Sequence, residues 1–180
     1  MLNLNFTPFP ELSTERLVLR QLEKTDADDI FSLRSNEDVN KYLDRPKAIS
    51  VDDAVQFIHK INDGINKNEW LYWAINLKES NKLIGTICLW NIEPEKVMAE
   101  TGYELFPEFQ GRGIMQEALL KVIEFGFENL QLNKITAFPD ADNKKSIQLL
   151  EKNTFKRDLI LEDEHKGKLN NLIIYSLVKS

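Results

Sequence analysis

Two glycines stand one residue apart in the run Gln110-Gly111-Arg112-Gly113-Ile114-Met115, between a segment ending Phe106-Pro107-Glu108-Phe109 and a strongly amphipathic stretch. Glycines at the first turn of a helix let bare backbone N–H groups approach an anion. Those N–H groups lack intrahelical partners and lie at the positive end of the helix dipole. A pyrophosphate fits such a place, although a turn that merely needs a positive φ would also take glycine. The flanks narrow the choice. A nucleoside-triphosphate loop requires Lys-Ser or Lys-Thr after its last glycine, and neither follows here. The dinucleotide fingerprint requires a third glycine where Gln116 stands. Upstream, Glu100 and Glu104 share one face of a strand-like run by period-two alternation. Downstream, Asn143 and Ser146 stand at the start of a helical pattern, where Asn143 is also an ordinary cap. His59 and His165 have no second histidine at ligand spacing, and a metal site is not expected. Cys88 lies in an apolar run and reads as packing.

The elements that must position these residues are legible from periodicity. Residues 15–22 alternate as a half-buried strand. Thr25 and Ser50 each stand as a candidate cap before acidic first turns, followed by apolar residues at helical spacing. Strand-like segments at 70–77, 82–90 and 97–106, separated by the turn-rich 78–81 and 93–95, read as a meander. The second is apolar on both faces and should be central. From Gly111 the period changes: Met115, Leu119, Val122, Ile123, Gly126 and Leu130 fall on one helical face. A strand at 134–138, a helix at 143–152, and strands at 155–161 and 172–178 complete a mixed α/β (α+β) order. The unit from 97 to 138 reads as a right-handed crossover that makes two strands parallel.

The chain of 180 residues, 42% apolar, suits one domain over 1–180. No apolar run approaches the roughly 20 residues needed to cross a bilayer, and residues 1–12 lack the pattern of a signal peptide. A soluble, unprocessed, cytoplasmic protein with no membrane partner is expected. One cysteine excludes an intramolecular disulfide and a cysteine-built zinc site. The formal charge of −6 argues against nucleic acid and suits a cationic substrate, though mild acidity also serves solubility.

The run Ala99-Glu100-Thr101-Gly102-Tyr103-Glu104-Leu105-Phe106-Pro107, continued by Gln110-Gly111-Arg112-Gly113-Ile114-Met115-Gln116-Glu117-Ala118-Leu119, resembles motif A (Q/R-x-x-G-x-G/A) of the GNAT acetyltransferases. Its nearest likeness is to the RimJ/RimL-like branch, which acetylates N-termini of ribosomal proteins. Asn143-Lys144-Lys145-Ser146, with Leu149-Leu150-Glu151-Lys152-Asn153-Thr154-Phe155, resembles that branch's N-x-x-S-x-x-L-x-x-K-x-G-F. With the opening Thr14-Glu15-Arg16-Leu17-Val18-Leu19-Arg20, the likeness covers nearly the whole chain. It implies a single mixed central sheet of about seven strands with helices on both faces, and a parallel pair, 97–106 and 134–138, splayed by a bulge in the first strand.

The resemblance also implies acetyl-CoA as co-substrate and no metal. Backbone groups near Leu105 and Phe106 would pair with the pantetheine arm, and an N–H near Leu105 would hold the thioester oxygen. The segment Gln110, Gly111, Arg112, Gly113, Ile114, Met115 and Gln116 would seat the diphosphate. A protonated amine cannot attack, so a base is useful: Glu100 is the first candidate and Glu104 the second. Asn143 would bond the arm. Ser146 would contact the cofactor or replace, as thiolate proton donor, the tyrosine that many members carry where this chain has Leu150. The expected acceptor is a primary amine, with a protein or peptide N-terminus ahead of a polyamine or aminoglycoside; a CoA-binding module without catalysis is the alternative. Monomer and homodimer remain open. Two departures stand out: Met115 replaces Gly or Ala and should point into the core, and Thr154 replaces the glycine before Phe155, so the turn there is expected to use another backbone geometry.

Overall fold

The computed structural model describes residues 4–80 and 82–179. Residues 1–3 of the N-terminal stretch and Asn81 of the expected 78–81 turn lie outside them. The strands are β1 (Leu12–Ser13), β2 (Leu17–Arg20), β3 (Leu71–Leu77), β4 (Leu83–Glu93), β5 (Met98–Leu105), β6 (Lys134–Ala137), β7 (Lys156–Arg157) and β8 (Tyr175–Val178). They form one mixed sheet in the order β1-β2-β3-β4-β5-β6-β8-β7, antiparallel except for the parallel pair β5 and β6. The helices are α1 (Ala27–Ser35), α2 (Glu37–Asn40), α3 (Val51–Asn66), α4 (Ile114–Glu128), α5 (Lys144–Lys152) and α6 (Leu159–Glu164). The seven expected strands are present, and β1 adds an eighth by pairing Leu12 with Leu19.

Alternation along the strands sorts the sheet into two faces. On one, Trp73 meets Phe125 of α4 at a 5.8 Å centroid distance, and Gly126 sits against Ile135 and Leu89. On the other, Tyr72 meets Phe57 of α3 at 5.7 Å. Helices therefore cover both faces. β4, whose first seven residues are all buried, runs through the middle, as its two-sided apolar pattern requires. Ser50 caps α3 through a reciprocal box with Asp53. Thr25 does not cap α1. It lies in a 3-10 turn, Lys24–Asp26, whose box is made by Glu23 and Asp26, because Arg20 draws Asp26 in with bonds of 2.7 and 2.8 Å.

Other expectations change as well. The 155–161 segment is strand only at β7; Asp158 then accepts a bond from the Leu161 amide and starts α6. The last strand begins at Tyr175, with Leu172 held by an isolated bridge to Asp140. Pairing of β5 with β4 is regular from Leu105 to Glu100, so no bulge interrupts β5 there; the irregularity lies on β4 between Trp90 and Glu93, where Asn91 takes φ 45°. β5 and β6 nevertheless part. Their ladder runs only from Met98–Lys134 to Glu100–Thr136, because β6 ends at Ala137 and Pro139 has no N–H to continue it, while β5 extends to Leu105.

Candidate functional site

The turn between β5 and α4 leaves a row of donors without partners. Gln110 gives its N–H to Pro107 at 3.1 Å, and the first helical bond is Glu117 N–H to Gly113 carbonyl at 3.1 Å. Between them, none of the N–H groups of Gly111, Arg112, Gly113, Ile114, Met115 and Gln116 donates to a protein acceptor among the described residues. Gly111 and Gly113 have φ of 75° and 72°, a region that other side chains adopt only with strain. Arg16, at the start of β2, braces the turn. Its Nη1 donates to the Arg112 carbonyl at 3.0 Å and its Nε to Glu117 at 2.6 Å, while the same carboxylate accepts from the Thr14 hydroxyl and the Arg16 amide. Burial alone would raise the Glu117 carboxyl, but these bonds outweigh it and hold it below its ordinary value.

From this turn the open edge of β5 runs toward Glu100. The Phe106 amide donates to Ile84 of β4 at 3.0 Å and the Phe106 carbonyl accepts from Phe109, so both of its backbone groups are taken. By alternation, Tyr103 and Leu105 aim their backbone groups the other way, into the gap that β6 leaves, while the Thr101 amide closes the ladder against Thr136. The Leu105 carbonyl accepts from Gln110 Nε2 at 3.1 Å, and Gln110 Oε1 accepts from Lys145 of α5 at 3.2 Å. At the closed end, the buried Thr101 hydroxyl has no hydrogen-bond partner among the described residues.

Glu100 and Glu104 lie on the α3 face of the sheet but in different settings. Glu100 is partly buried and borders a cleft of about 410 Å³ with Asn91, Glu93, Met98, Phe138 and Leu161. Burial pushes its carboxyl up; hydrogen bonds from Asn91, at 2.8 Å, and from Trp90 pull partly the other way. Glu104 is 9% exposed and holds Arg45 at 2.5 Å, with Thr86 at 3.3 Å and Tyr72 at 3.5 Å. Gly102 lies between them, with Cys88 and Trp90 facing the space a Cβ would take. Burial pushes the Cys88 thiol up to about 12, which makes it a poor nucleophile.

On the α4 face, the Tyr103 hydroxyl lies 2.8 Å from Ser146 Oγ. Burial pushes the Tyr103 phenol up to about 12 although the bond to Ser146 lowers it, so the pair is neutral near pH 7. Asn143 caps α5, its Oδ1 accepting from the Ser146 amide at 3.1 Å, and Leu150 is fully buried. No group of three or more His, Cys, Asp or Glu side chains among the described residues is placed to hold a metal ion.

Residues 16–156 match the acetyltransferase (GNAT) domain family. The chain is a GNAT acetyltransferase. It is 36% identical over 170 residues to the uncharacterized N-acetyltransferase p20 of Bacillus licheniformis, covering 93% of this chain and 96% of that protein. Its fold is similar to that of the ribosomal-protein-S5-alanine acetyltransferase from Vibrio fischeri, with a TM-score of 0.78 at 22% identity over 94% of this chain and 96% of the other. It is also similar to the ribosomal L7/L12 alpha-N-protein acetyltransferase RimL, solved in complex with coenzyme A, with a TM-score of 0.80 at 19% identity over 94% and 98%.

Within this GNAT chain the glycine turn, Leu105, Tyr103 and Ser146 come together around the gap. Glu104 stays apart from Glu100, four residues along the same strand. Sequence reasoning passed over Arg16 as a brace, although it lies inside the quoted opening motif. It also passed over Tyr103, one residue before a candidate base but on the opposite face. Asn91 gave no signal, because its reach to Glu100 depends on a backbone irregularity that no local pattern marks.

Proposed function

We propose that this enzyme transfers an acetyl group from acetyl-CoA to a primary amine, most fittingly a protein or peptide N-terminus, by direct attack within a ternary complex. The observation that carries the reading is the continuity of three features: unpaired amides at the α4 start, an open strand edge leading from them, and a partly buried carboxylate with its own cleft where that edge closes. The fit to a diphosphate-bearing thioester is good, since the glycine turn supplies donors from Gly111 to Gln116 and the orphaned Thr101 hydroxyl awaits a partner. When bound, acetyl-CoA supplies the activated acyl group and a thiolate leaving group.

The protein's own groups divide the remaining work. Gly111 to Gln116 bind through N–H donors at the positive end of α4. Lys145 and Gln110 stand at the mouth of the gap. Tyr103 and Leu105 offer backbone groups along it, and we assign oxyanion stabilisation to their amides. Glu100 accepts the proton of the amine, directly or through water, and Asn91 fixes the carboxylate for this task. Ser146, held by Tyr103, would relay to the leaving sulfur a proton that it regains from solvent. Glu104 serves the acceptor side through Arg45. Among the described residues no helix is long and apolar enough to cross a membrane, and we place the enzyme in the cytoplasm with its substrates.

Mass spectrometry of a peptide and small-amine panel, incubated with enzyme and acetyl-CoA, tests the reading. Acetylated peptide N-termini with matching release of free CoA are expected. Modification of polyamines or aminoglycosides alone would reassign the acceptor. CoA binding with no acceptor-dependent thiol release would reduce the protein to a binding module.

A further inference from the structure

The α3 face of the sheet holds an unbalanced positive charge beyond Glu104. Arg45 Nη2 is paired with Glu104, and Arg45 Nε donates to Asn40 Oδ1 at 2.8 Å. Asn40 is itself buried and fixed by the carbonyls of Arg34 and Asn36, at 3.0 and 2.7 Å. That pair is neutral and rigid. Beside it, Arg34 of α1 lays its guanidinium over the Phe57 ring at 3.9 Å, and Phe57 in turn meets Tyr72, whose hydroxyl reaches Thr86 at 2.9 Å and Glu104. The Arg34 guanidinium donates no hydrogen bond to an acceptor among the described residues. Burial first, and Arg45 next, lower its pKa, while Glu104 offsets only part of this. A latch between α1 and α3 accounts for the ring contact, but an uncharged side chain would cover Phe57 without desolvating a cation beside another cation.

We infer that Arg34, with the Arg45–Glu104 pair behind it, receives an anionic group of the acceptor, a carboxylate or phosphate carried on the order of 10 Å from the amine that Glu100 serves. The spacing follows from β5: Glu100 and Glu104 are four residues apart on one face, about 13 Å at roughly 3.3 Å per residue. An extended peptide with its N-terminus at Glu100 brings the side chain of its third or fourth residue to Arg34. A guanidinium already held over a ring, with its donors unspent, meets such a group with little ordering left to do. The inference deepens the amine-acceptor reading above and rests on it for the position of the amine.

The test uses the full chain saturated with CoA, so that the glycine turn is filled and cannot take a competing anion. N-acetylated tetrapeptide amides with Glu, phosphoserine or Gln at the third position are titrated by calorimetry, and the matching free-amine peptides are run as acceptors. The Glu or phosphoserine peptide should bind about tenfold tighter than the Gln peptide, and which of the two leads identifies carboxylate or phosphate as the source. Arg34→Met should erase the preference while leaving the Gln peptide unchanged, and Arg34→Lys should keep part of it. Equal affinities in the wild type, no measurable binding of any peptide, or a preference that survives Arg34→Met would overturn the inference. Transfer to all peptides at equal rates would leave the acetyltransferase reading standing without the anion site. A charge preference in binding with no transfer to any amine would do the reverse.

Discussion

Because burial raises the Glu100 carboxyl, the rate should fall with decreasing pH through a point above the ordinary carboxylate range, where the base becomes protonated. Glu100→Gln should remove that acid limb and lower kcat/KM by roughly 100-fold at neutral pH, with a smaller loss at high pH where free amine is abundant. Initial rates across a pH series check both. A loss that is the same at every pH would assign Glu100 a structural part only. Tyr103→Phe and Ser146→Ala should each lower kcat with little change in CoA affinity, and the double variant should be no slower than Ser146→Ala, since Tyr103 acts through the serine. Thr154 takes φ 64°, so the turn before Phe155 keeps the left-handed geometry of a glycine instead of adopting another. Thr154→Gly should therefore stabilise the protein by roughly 0.5–1 kcal/mol, after the extra freedom of glycine in the unfolded chain is counted, and raise Tm by a few degrees in calorimetry. At this scale the sequence marked what backbone chemistry requires, glycines and a helix start. It did not mark pairings such as Arg45 with Glu104 or Tyr103 with Ser146, which join residues 59 and 43 positions apart.

Among the elements, the tie between β2 and α4 has a separable effect. Arg16→Met should weaken CoA binding severalfold, because the Arg112 carbonyl and Glu117 lose the bonds that hold the turn in shape. It should also cost about 0.5 kcal/mol of stability at neutral pH, a small value because the pair is largely solvent-screened. The sign with pH follows from the depressed Glu117 carboxyl: its stabilisation is present above the unfolded value and lost as pH falls through the lower folded value. Urea melts of the two proteins should thus converge in acid. Helices α3 and α4 and the meander were legible because each has a long, strongly periodic pattern. The 155–161 segment was not, since Leu159, Ile160 and Leu161 are apolar in a row and fit strand or helix equally; Asp158 as a cap decides for the helix, and Leu159 and Ile160 are left exposed.

For the whole molecule, the parting of β5 and β6 sets a pattern of amide protection. Hydrogen exchange of the unliganded protein should be fast at Tyr103, Leu105 and Gly111 to Gln116, and slow at Phe106, whose amide is bonded to Ile84. Adding acetyl-CoA should slow the first group and leave Phe106 unchanged. Protection confined to the glycine turn would mean that the cofactor tail lies outside the sheet. The parallel crossover was readable from the order of elements. The cause of the parting was not, because it lies in the end of β6 before Pro139 instead of a break in β5. The Gln110 side chain links the Leu105 carbonyl to Lys145 across the entrance. A ligand amide that takes over that carbonyl must first evict the glutamine, so the contact is a swap with nearly no net hydrogen-bond gain. Capture strength then comes from the charged head, and the tail contributes alignment.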